Sequence, residues 1–152
     1  MSRTPIKMVS NEPIEFIPEE YKDLDPKAEK IADRPLVFVG KRMTRDQKFA
    51  LQELMKFKYP EGVTFDTPEE FQKAVEITGR GDAYKYIWDH CITEIKNVLL
   101  LDPKDNKVVE YDVLKGKDRD KLWNTEGEDA NILQAVAFFM DTSKFTEEES
   151  KN

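Results

Sequence analysis

The sequence predicts an α+β fold, a helix-rich single domain with a small antiparallel β element and a mostly apolar C-terminal helix. Three observations lead there. The chain has 152 residues, the usual size of one domain. Three Thr-led helix starts open segments with apolar residues at helical spacing. Between the second and third of them, one stretch changes to a strand-turn-strand pattern.

The first 35 residues form an N-terminal extended arm, rich in proline and charge, with one apolar island at Ile14-Glu15-Phe16-Ile17. Its alternation predicts a short strand. Pro13 and Pro18 bracket it, and because proline donates no ladder hydrogen bond the strand is short or at an edge. Glu19 to Arg34 is expected to be a charged connection, open to mobility. A core domain over 36–145 then begins with the strand Leu36-Val37-Phe38-Val39, closed by Gly40.

Thr44-Arg45-Asp46-Gln47 has the form of a capping box, in which each side chain satisfies an orphan backbone N–H. The helix it opens should run to about Lys58 and bury Ala50, Leu51, Leu54 and Met55, with Phe57 a further candidate. Pro60 and Gly62 end it. Thr67-Pro68-Glu69-Glu70 opens a short second helix, with proline at the first helical position. It presents Phe71, Ala74, Val75 and Thr78 and stops at Gly79. Asp82 is expected to cap a third helix carrying Tyr84, Ile87, Trp88, Cys91, Ile92 and Ile95 at helical spacing, and this reads as the core helix.

From Val98 the period changes. Val98 to Leu101, the turn Asp102-Pro103-Lys104-Asp105-Asn106, and Val108 to Val113 read as a hairpin. The aliphatic run could instead extend the preceding helix. Lys115 to Asn124 reads as a loop or single turn held by Leu122 and Trp123. Thr125-Glu126-Gly127-Glu128 opens a last helix to Asp141, apolar nearly all round. Such a helix is central to a domain or covers a partner. Leu133, Val136 and Met140 are assigned to the core, and Ile132, Phe138 and Phe139 are the candidate partner-binding residues. Phe138→Asp is accordingly expected to spare folding and abolish partner capture. Residues 146–152 form an acidic tail.

Composition limits the function classes. Lys+Arg 24 against Asp+Glu 31 gives a net charge of −7, which disfavours a phosphate backbone as partner. Lys41, Arg42 and Arg45 form the nearest thing to a basic patch and read as a solvated strand-to-helix junction. The single cysteine, Cys91, permits no intrachain disulfide and fits a reducing compartment. The longest aliphatic run, Val98 to Leu101, is far below the ~20 residues needed to span a bilayer. With no apolar leader at the start, the expectation is a cytosolic protein.

No catalytic, cofactor or metal site is expected. His90 and Cys91 are adjacent, and neighbours on a helix point about 100° apart, so they do not form a nucleophile–base pair. One His and one Cys cannot complete a structural zinc set. The segment from Asp102 to Asn106 has a lysine where a calcium loop needs oxygen, and reads as a turn. Gly79-Arg80-Gly81 lacks the lysine and preceding strand of a phosphate loop, and reads as a helix–helix link.

Ile95-Lys96-Asn97-Val98, the turn at Asp105-Asn106-Lys107, the β segment ending Glu110-Tyr111-Asp112, a helix, and the closing Thr146-Glu147-Glu148-Glu149-Ser150-Lys151-Asn152 together resemble the tail assembly chaperones of long-tailed bacteriophages. Earlier in the chain, Phe16-Ile17-Pro18-Glu19 and the passage from Val37-Phe38-Val39 to Thr44 fit more loosely. Ile95 stands where that family would carry tryptophan. The resemblance implies a non-enzymatic phage assembly protein that binds the tape-measure protein while the tail tube polymerises, with the tube protein as a further suspected partner. The alternatives are a structural tail or neck component of the virion, and a small cytosolic enzyme with an unrecognised carboxylate site.

Overall fold

The computed structural model describes residues 2–8, 11–55, 66–70, 80–125 and 130–142. Four strands, β1 (Ile14–Phe16), β2 (Val37–Gly40), β3 (Ile92–Leu101) and β4 (Val108–Lys115), form one antiparallel sheet in sequence order. The helices α1 (Arg45–Met55) and α2 (Arg80–His90) lie between β2 and β3 in the chain. The short α3 (Asp120–Trp123) and then α4 (Ala130–Thr142) follow β4. The fold is α+β, as the sequence predicts.

The sheet carries one apolar row across all four strands. Phe16 pairs with Phe38, Phe38 with Ile95, and Ile95 with Leu114. Against this row pack Ile87 and Trp88 from the end of α2, Cys91 just after it, and Ala135, Val136 and Phe139 from α4, all but fully buried. Cross-strand neighbours of this kind are the unit of sheet stabilisation. On the opposite face Lys96 reaches Glu15 at 3.4 Å across the intervening β2. Val37 and Val39 are buried on that face.

From Pro18 to Pro35 the arm is tied down rather than loose. Two 3-10 turns, Glu19–Tyr21 and Ile31–Asp33, shape the connection from β1 to β2, and Pro18 and Pro35 are fully buried. Arg34 donates to the carbonyls of Ala28 (2.6 Å) and Glu29 (3.2 Å) and to Asp112 (3.1 Å). Asn131 at the start of α4 donates to Glu20 at 2.7 Å.

Helix α1 opens as expected. The Thr44 N–H donates to Gln47 Oε1 (3.0 Å) and the Gln47 N–H to Thr44 Oγ1 (3.2 Å), a complete capping box. Leu51 is buried and Leu54 half-buried, but Met55 is exposed. Phe57 and the helix end at Lys58 lie outside the described residues. At the second start the Glu70 N–H donates to Thr67 Oγ1 at 3.2 Å. Phe71 to Gly79 and most of the Thr125-to-Glu128 box also lie outside, as does the acidic tail.

The core helix is shorter than its periodicity predicts. α2 ends at His90 and opens at Arg80, ahead of Asp82, and Ile92 already begins β3. The strand mimics a helical spacing because two irregularities rephase it. Between Val39 and Gly40 the register with β3 slips, leaving Thr93 as an extra residue, so Ile92 and Ile95 both face the core. Asn97 then adopts a left-handed φ of 62°, which turns Val98 inward after Ile95. Its side chain donates to the Pro35 carbonyl at 2.9 Å. Buried positions three apart are thus produced by a bulged strand. The hairpin reading of 98–113 holds, and the strand starts six residues earlier.

Candidate functional site

α4 buries Ile132, Ala135, Val136 and Phe139 along one stripe, the i, i+3, i+4, i+7 pattern of an amphipathic helix. Two expected contact residues are therefore core. Phe139 is fully enclosed beside Gly40, and Ile132 is buried. Phe138 is half-buried and stacks on Phe16 with ring centroids 4.8 Å apart. Its role is to hold β1 against α4, so Phe138→Asp would disturb packing rather than spare it. Conversely Leu133, expected in the core, is 49% exposed, and Met140 is half-buried. A helix apolar nearly all round gives no phase in sequence; here the sheet and α2 select the buried side.

His90 and Cys91 diverge. Cys91 follows the last turn of α2, its N–H bonded to the Ile87 carbonyl at 2.8 Å, and its side chain is fully buried. His90 is exposed, its ring 4.2 Å from that of Tyr86. Burial, and second the Cys91 thiol, push the Tyr86 hydroxyl pKa up. The segment from Asp102 to Asn106 closes the hairpin as a turn. Asp102 and Asp105 accept backbone N–H bonds from Lys104 (2.9 Å) and Lys107 (3.0 Å), and Asn106 takes a left-handed φ of 57°. Both carboxylates serve the loop backbone. Among the described residues, no group of three or more His, Cys, Asp or Glu side chains is placed to hold a metal.

The structure assembles one polar cluster that sequence spacing did not reveal. Asp120, at the start of α3, accepts from Lys85 Nζ at 3.2 Å and from Trp88 Nε1 at 3.3 Å. Lys85 also meets Asp89 at 3.4 Å and lies 4.9 Å over the Trp123 ring. The Lys85 hydrogen bond is the main reason the Asp120 carboxyl sits below its ordinary pKa, with Trp88 and Arg119 assisting. Arg119 donates to the carbonyls of Trp88 (2.6 Å) and Ile92. It thereby ties off the helix end and the strand start together. Asp120 and Arg119 thus join α2, the start of β3 and the start of α3, while Asp89 pairs with Lys85 within α2.

What remains open to solvent is the far end of the hairpin. β2 pairs with β3 only over Ile92–Lys96, whereas β4 pairs with it out to Leu101. Leu99 to Leu101 and Val108 to Glu110 therefore project beyond β2 as a two-stranded ribbon. Val98 and Tyr111 face the core, so Leu99, Leu101, Val108 and Glu110 share the other face. Leu101 is 62% and Val108 60% exposed, and Leu99 is exposed beside them. The apolar character of both strands was visible in sequence; that one face stays uncovered was not. Contiguous exposed apolar surface of this kind marks interaction sites. Among the described residues no helix is long and apolar enough to cross a membrane. No family model, no curated protein and no solved structure matches this chain.

Proposed function

We propose that the protein is a non-enzymatic binding protein that holds a partner protein against the β3–β4 ribbon. The observation that carries this reading is the uncovered apolar face of Leu99, Leu101 and Val108 on an element that projects beyond the sheet. An amphipathic helix laid across such a face removes its apolar surface from water and shields its own seam at the same time. The resemblance to tail assembly chaperones supplies the partner class. A tape-measure protein is long and helical and exposes apolar seams until the tail tube surrounds it. On this reading the protein acts in the cytoplasm of a phage-infected host.

The test is co-expression with the tape-measure protein of the same phage and recovery of a soluble complex. Leu101→Lys combined with Val108→Lys should abolish recovery. Surface changes of this type leave stability within about 0.5 kcal/mol, which a urea denaturation curve checks. Undiminished recovery of the partner by the folded double variant would remove the ribbon from the reading. Presence of the protein in purified mature particles would replace the chaperone role with a structural one.

A further inference from the structure

The two edges of the sheet differ in how they are protected. β1 is three residues long and lies between Pro13 and Pro18, a short, proline-bracketed edge of the sort that resists pairing. β4 is eight residues long, has no proline, and is exposed at six positions. Among the described residues nothing pairs with its outer side. An unpaired edge of this length with no proline is a template for another strand.

We propose that this strand is supplied by a second copy of the chain, giving a two-fold dimer in which β4 runs antiparallel to its partner's β4. Charge along the strand selects the register. Glu110 and Lys115 both rise from the face turned away from the helices: Lys115 pairs there with Glu94 at 3.7 Å, and Glu110 stands opposite Leu99. Placing Glu110 opposite Lys115 brings Tyr111 opposite Leu114 and Asp112 opposite Val113, and the symmetry makes each pairing twice. Opposite charges facing each other across strands stabilise, and like charges destabilise. Slipping one residue toward the hairpin loop sets Asp112 against its own copy, and slipping two leaves Glu110 and Lys115 without a charged neighbour. Slipping two the other way sets Asp112, already held by Arg34, against Lys115 but shortens the paired stretch to 112–115. An isologous contact of this kind closes on itself and ends with two chains. It makes the sheet continuous across both copies and keeps the two apolar ribbon faces on the same side.

Sedimentation of the full chain over a concentration series tests the proposal, with circular dichroism confirming the fold of each variant. Wild type should reach a dimer. Glu110→Lys and Lys115→Glu should each raise the dimer dissociation constant on the order of tenfold. The double variant, which restores opposite charges at both positions, should return it to within a few-fold of wild type. The Lys115–Glu94 pair is exposed, with Lys115 74% accessible, so its loss costs little in folding. A chain monomeric at every concentration overturns the proposal. So does a dimer that ignores the single reversals, or one that the double variant fails to restore. Sedimentation is read on the chain alone, with no partner protein present, so its outcome is independent of partner capture by the ribbon, although Glu110 lies on that face.

Discussion

A Cβ at Gly40 would lie 2.4 Å from the Cys91 carbonyl oxygen and 2.6 Å from the Phe139 ring. The carbonyl belongs to backbone that also accepts the Lys41 N–H at 2.9 Å, so it cannot withdraw without breaking that bond. Gly40→Ala is therefore expected to destabilise the fold by about 1–3 kcal/mol, the usual range for overpacking. A urea midpoint shifted down with the slope unchanged is the readout. Asp120 offers a second test. Its pKa is depressed from an ordinary 3.8, chiefly by the Lys85 hydrogen bond. Its stabilising contribution is thus complete above that ordinary value, and is lost as pH falls through the lower folded value. With the side chain 43% exposed, solvent screening keeps the effect small. The melting temperatures of wild type and Asp120→Asn should differ most near neutral pH and converge in acid. A gap that widens in acid would contradict the assignment.

At the scale of elements, the junction between α2 and β3 decides the fold. Thr93 slips the register with β2, and its hydroxyl donates to the Val39 carbonyl at 3.2 Å. Arg119 caps both sides of the junction. Arg119→Met would leave the carbonyls of Trp88 and Ile92 without this donor, a loss of about 1–3 kcal/mol for a buried acceptor. The tryptophan emission of Trp88 and Trp123, whose rings lie 5.1 Å apart, should report it as an earlier unfolding transition. This junction was not legible in sequence. Ile87, Cys91, Ile92, Ile95 and Val98 share one spacing whether they sit on a helix or on a strand with a bulge and a left-handed residue. Only the pairing of Gly40 with Ile92, a contact far apart in the chain, separates the two. The Thr44–Gln47 capping box was legible because all its atoms lie within one turn. The hairpin loop at 102–106 was legible for the same reason.

For the whole molecule, the α+β class followed from local signals, whereas the candidate surface did not. Leu133 and Phe139 differ little in sequence character, and only the packing of α4 against β2 and α2 buries one and exposes the other. The ribbon shows the same limit from the other side. Val98 to Leu101 reads as a strand or as an extension of the preceding helix because its apolar run does not alternate. The helices pack on the opposite side of the sheet and leave this face open, while the shortness of β2 leaves the outer rungs of β3 without a partner on that side.

That shortness also sets where the native protein loosens first. An isolated two-stranded hairpin has marginal stability in water, so the overhanging rungs can part while the segment flanked by both β2 and β4 stays closed. Native-state hydrogen exchange should therefore divide β3 in two. Amides in the ribbon that bond only to β4 should exchange through low-energy local opening. Those between Ile92 and Lys96 that bond to β2 should exchange only near global unfolding. The binding face proposed here would then sit on the region that opens most readily, and protection gained there in a complex would register occupancy without any change in the rest of the sheet.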